Sequence, residues 1–80
     1  MRMSFNTNHF TIVLQAEPEG GYTVTVPALP GCVTFGKTPE EASVMAQDAI
    51  GAYLVSMKKH GELIPMDRFS MLAAVDVAMP

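Results

Sequence analysis

Eight carboxylates, two imidazoles and one thiol are the groups in this 80-residue sequence that could carry chemistry. Two-metal hydrolysis would need several of the carboxylates to converge on ions about 4 Å apart, and a nucleophilic thiol would need a base or a cation beside it. Their positions argue against both. Glu17 and Glu19 belong to a Gly-Pro turn, Glu40 and Glu41 open a helix, Asp48 falls on the outer side of that helix, and Glu62 and Asp67 belong to a loop. Only Asp76 lies within a predicted strand, so no acidic pair faces another across a sheet, and neither a catalytic residue nor a metal ligand is assigned. Cys32 has no histidine near it and reads as a small apolar filler. His9 starts a strand, and His60 sits where a helix C-terminus favours a cation. A single cysteine excludes an intramolecular disulfide, a zinc set and a CxxC redox pair, which fits a reducing cytoplasm. No cofactor is implied.

Composition narrows the class further. The chain is 49% apolar and 16% charged, with seven methionines and no tryptophan. That suits one small globular domain, residues 1–80 with a core over about 9–79, that has apolar surface left for a partner. A net charge of −3 and five basic residues, clustered only at Lys58-Lys59, argue against direct nucleic-acid binding by this chain. The first residues lack the apolar core of a signal peptide, and no stretch approaches the roughly 20 apolar residues of a membrane span.

The elements that position these groups can be read from periodicity. Phe10, Ile12, Leu14 and Ala16 alternate on one face of a strand, and Tyr22, Val24 and Val26 on one face of a second. Between them Glu17-Pro-Glu-Gly-Gly21 supplies a turn in which Gly20 and Gly21 can take positive φ, giving an antiparallel hairpin. Pro27 and Pro30 fix two φ angles and withhold two donors, while Gly31 and Gly36 permit turns, so the second strand ends near Val26. Cys32 to Phe35 then continues the meander as a third strand.

The helix start is the sharpest local signal. Thr38 can accept from the amide of Glu41 while Glu41 reaches back to the amide of Thr38, with Pro39 at the first helical position. Ala42, Met45, Ala46, Ala49, Ile50, Tyr53, Leu54 and Met57 form a buried stripe, Lys58, Lys59 and His60 suit the negative end, and Gly61 stops the helix. After a return loop from Glu62 to Arg68, residues 71–79 are apolar on both faces apart from Asp76. Such a run reads as a strand covered on both sides, or as one whose second face or free edge is buried by another subunit.

Taken together, Gly20-Gly21-Tyr22, Pro27-Ala-Leu-Pro-Gly-Cys32, Gly36-Lys-Thr-Pro-Glu-Glu-Ala42 and His60-Gly-Glu-Leu-Ile-Pro65, in a β-β-β-α-β order, resemble the HicB-type antitoxin family over residues 9 to 66. The resemblance implies an α+β, partial ribonuclease H-like domain, in which one helix packs an antiparallel sheet. It also implies a role in neutralising a HicA-type toxin, a small basic ribonuclease that cleaves mRNA. Within that resemblance Gly20, Gly21, Pro27, Pro30, Gly31, Cys32, Gly36, Thr38 and Glu41 are motif residues with structural reasons to be where they are. Many members continue into a DNA-binding domain; the sequence ends at Pro80 without a basic segment, so it reads either as a single-domain member or as part of a longer protein.

Two features bear on partners. Gly51 interrupts the helix interior at a cost of about 1 kcal/mol relative to alanine, and shares a flank with Val44, Asp48 and Val55. That flank either widens the core stripe or marks a contact surface for a partner, to which Glu40 and Glu41 could add charge. A four-stranded sheet backed by one helix also leaves one sheet face uncovered, which favours a homo-oligomer, a dimer or a dimer of dimers. The function implied is antitoxin action by covering a toxin's active site; a stand-alone oligomeric module binding a small molecule or peptide is the alternative.

Overall fold

The computed structural model of the protein describes residues 9–65 and 71–80. Three strands, β1 (Val13–Ala16), β2 (Tyr22–Thr25) and β3 (Val33–Gly36), are followed by one helix, α1 (Pro39–Lys59). The strands form an antiparallel meander in the order β1-β2-β3, the β-β-β-α arrangement that the periodicity predicts. Leu14 pairs with Val24 and Val24 with Thr34, so these three residues share the face that meets the helix. Val13, Thr25 and Val33, and likewise Gln15, Thr23 and Phe35, line up on the opposite face.

The first ladder is shorter than the alternation suggests, for a reason visible in its partner. Val13 pairs with Thr25, so a further outward pair would set Thr11 against Pro27, which has no N–H to give. Phe10 and Ile12 nevertheless pack into the core. The turn between β1 and β2 closes through the Glu17 amide donating to the Gly21 carbonyl at 2.9 Å, with Gly20 and Gly21 at φ 107° and 83°. A side chain at Gly21 would also collide with the Phe35 ring.

Helix α1 begins nearly as its sequence dictates. Thr38 is extended, and its hydroxyl accepts from the Glu41 amide at 3.1 Å. The Glu41 carboxylate reaches one residue further out than the reciprocal pattern predicts, accepting from the amide of Lys37 at 2.5 Å rather than from that of Thr38. At the other end Gly61, at φ 68°, closes the turn beyond the His60 cap. No helix among the described residues is long and apolar enough to cross a membrane.

Helix and sheet meet at two adjoining clusters. Val24, Ala42 and Ala46 form one, flanked by Ile12, Leu14 and Tyr22; Val26, Leu29 and Cys32 form the other, flanked by Ala49, Ile50, Tyr53, Leu54 and Met57. The first depends on how low the helix can sit. A Cβ at Gly36 would lie 2.4 Å from the backbone of Ala42, so glycine is what lets α1 settle onto the end of β3.

Two expectations are corrected. Met45, assigned to the buried stripe, is 38% exposed, because α1 meets the sheet through its alanines and Met45 lies at the edge of that contact. The fourth strand expected over Met71–Met79 is not formed. No backbone hydrogen bond joins residues 71–80 to the rest of the described chain, and all ten are exposed. A strand exists only where a neighbour satisfies its N–H and C=O groups, and among the described residues this segment meets none.

Candidate functional site

The groups able to do chemistry stay dispersed. Among the described residues no three His, Cys, Asp or Glu side chains come together in a group that could hold a metal ion; Asp67 lies outside the described residues. Cys32 is buried in the second core cluster, and burial pushes its thiol above the ordinary value, the opposite of what a nucleophile needs. Glu17 is engaged locally, accepting from the Thr23 hydroxyl at 2.5 Å. His60 donates from Nδ1 to the Ser56 carbonyl at 2.7 Å, a helix-end contact.

The Pro27–Cys32 loop is built to stay still. Leu29 donates to the Val26 carbonyl at 3.0 Å, Cys32 to the Leu29 carbonyl at 3.0 Å, and Val26 to the Cys32 carbonyl at 3.2 Å. Leu29 is fully buried, and the Tyr53 hydroxyl donates to the Pro30 carbonyl at 2.7 Å, tying the loop to the middle of α1. Sequence reasoning names the prolines and glycines here and passes over Leu29, which is the anchor. The signal was present: an isolated leucine in a turn otherwise made of Pro, Ala and Gly has little reason to be there except burial.

Two surfaces of the helix and sheet expose apolar side chains, apart from those of Leu63, Ile64 and the segment 71–80. On α1 the residues Glu40, Val44, Asp48, Gly51 and Val55 follow one another at spacings of four, four, three and four, a single line along the helix. All five are exposed, with Val44 at 56% and Val55 at 57%, so this flank does not widen the core stripe. A Cβ at Gly51 would meet nothing within 4 Å, so no packing within the chain requires glycine there. Glu41, counted with this group from the sequence, is occupied by the helix cap. The second surface is the bare sheet face, where Val33 and Phe35 stand out beside Thr23 and Thr25. Neither surface offers a concave reactive centre; both offer what a protein partner covers.

Comparison with known proteins agrees with this character. The model of the family described as the HicB-like antitoxin of bacterial toxin-antitoxin systems matches residues 10–78. The chain is 50% identical over 58 residues to a UPF0150 protein of Thermoplasma acidophilum, covering 72% of this chain and 84% of that one. It is 42% identical over 53 residues to a UPF0150 protein of Archaeoglobus fulgidus, covering 66% and 75% of the two chains. A UPF0150 protein of a Synechocystis species is 34% identical over 59 residues, 74% and 75% of the two.

Proposed function

The chain belongs to the HicB-like antitoxin family of bacterial toxin-antitoxin systems, and from that premise we propose that it neutralises a HicA-type, mRNA-cleaving toxin by binding over the toxin's active site. It acts by occlusion and not by catalysis, in the cytoplasm where the mRNA is. The observation that carries this reading is the exposed line Glu40-Val44-Asp48-Gly51-Val55 on α1, which combines two carboxylates with apolar anchors. An RNA-binding toxin presents a basic face. Opposite charge speeds and orients such an encounter, while buried apolar side chains hold the complex once formed. Gly51 lets a partner's backbone approach the helix without a side chain between them.

The reading extends to the surroundings of the interface. The partial ribonuclease H-like domain serves as a rigid mount, and self-association as a dimer or a dimer of dimers would present two or more such helices at once. DNA binding is not assigned to these residues, whose net charge of −3 opposes it.

The test is an RNA-cleavage assay with the cognate toxin and increasing amounts of this protein. Cleavage falling to background near equimolar ratio is the expected result; undiminished cleavage defeats the antitoxin reading. Gly51→Arg tests the surface separately: it should leave the helical circular-dichroism signal intact and abolish inhibition. If inhibition survives unchanged, the α1 flank is not the interface.

A further inference from the structure

Helix α1 carries along its outer side a pattern complementary to its own reverse. Glu40 and Glu41 stand at its N-terminal end and Lys58 and Lys59 at its C-terminal end, with Val44, Asp48, Gly51 and Val55 between, all of them exposed. We propose that this line pairs α1 with the α1 of a second copy of the chain, antiparallel, about a two-fold axis level with the Ala49–Ile50 peptide. The pairing does not rest on the antitoxin reading.

Spacing carries the proposal. Reversal about that level exchanges Val44 with Val55 and Asp48 with Gly51, so each valine meets the other valine of the second copy, as a self-complementary two-fold contact requires. Glu40 and Lys58 are 18 residues apart, as are Glu41 and Lys59, which is five whole turns of about 3.6 residues. Each acid therefore shares its side of the helix with a base, and on reversal comes beside the second copy's base to within about one residue's rise of 1.5 Å. The Glu41 carboxylate already accepts from the Lys37 amide, which leaves Glu40 with Lys58 as the principal charge contact. Antiparallel helices also set opposite dipole ends against each other.

Gly51 falls beside the axis, next to its own equivalent. A Cβ there would meet nothing within 4 Å in its own chain, and its absence lets two backbones approach at the close end of the usual spacing of about 8–10 Å between helix axes. That gives a reason for a glycine that weakens the helix interior. Asp48 opposes the contact, because it meets the second copy's Asp48 on the other flank of the axis and like charges repel. A uniformly basic face would complement the acidic end of the line alone, whereas a second copy complements both ends. With two half-exposed valines from each side, the contact falls below the roughly 1,200 Å² of a standard interface, so the pair is weak and reversible. A toxin that takes the same line displaces the second copy, a consequence that, unlike the pairing, rests on the antitoxin reading.

Disulfide trapping on the full chain tests the geometry. Glu40→Cys chains mixed with Lys58→Cys chains and mildly oxidised should give a covalent species of about twice 8.6 kDa, with Cys32 buried in both. Either variant alone should give at least about tenfold less, because the bond needs Cβ atoms about 4 Å apart and only the antiparallel pair brings residue 40 to residue 58. Sedimentation equilibrium reads the charge pattern. Glu40→Lys should raise the dissociation constant of the pair at least about threefold, Lys58→Glu added to it should restore the starting value, and Asp48→Asn should lower it about threefold. No mixed species, equal trapping of either variant alone, no weakening by Glu40→Lys, a weakening that Lys58→Glu fails to reverse, or a pair that Asp48→Asn does not strengthen would each overturn the proposal.

Discussion

The loop Pro27–Cys32 and the segment 71–80 are both apolar and both lack regular secondary structure, yet one is fixed and the other bare. The loop forms three backbone hydrogen bonds within itself or to Val26, buries Leu29 completely and is held from outside by Tyr53. The segment has more large apolar side chains and none of these ties. Apolar content therefore does not place a stretch of chain by itself. The backbone groups must also find partners, and a short loop can find them locally where an extended run needs a neighbouring strand.

Substitutions can break that comparison, and Leu29→Ala should do the most, lowering stability by about 3 kcal/mol in urea denaturation because a filled pocket is emptied. A loss below about 1 kcal/mol would mean that the loop is not anchored as described. Gly36→Ala comes next, at about 1–3 kcal/mol, since its methyl group forces Ala42 and the start of α1 away from β3. Tyr53→Phe should cost about 1 kcal/mol by removing one donor to Pro30. Alkaline pH probes the loop through Cys32: burial raises its pKa in the folded state, so the folded chain keeps a proton that the unfolded chain releases. The stabilisation is complete below the thiol's ordinary value of 9.0 and is lost as pH rises through the folded value. Cys32→Ala should flatten that decline. Smallest of all, Leu72→Ala in the segment should shift the stability of the monomer by less than about 0.5 kcal/mol; a larger loss at dilute concentration would show that the segment packs within its own chain.

Much of the fold was legible because its signals are local. Alternation located the first two strands, β-branched and aromatic character the third, and Thr38, Pro39 and Gly61 bounded the helix, each through a preference acting within a few residues. The flank of Val44, Asp48, Gly51 and Val55 was legible too, as a line of residues whose exposure needed the structure to decide. Tertiary detail was not. Leu29 is buried because α1 passes over it, Met45 is exposed because two small alanines carry the contact, and the Glu41 carboxylate selects the Lys37 amide because of the chain's path into the helix. The strand expected over 71–79 shows the same limit from the other side: pattern identifies a segment fit for a sheet, but not whether a neighbouring strand lies in reach of it.

The meander order has a kinetic meaning. Each strand pairs with its sequence neighbour across the short connections 17–21 and 26–32, and α1 follows β3 after residues 37–38. Little loop-closure entropy opposes these steps, so the domain assembles rapidly from one molecule and at a rate independent of dilution.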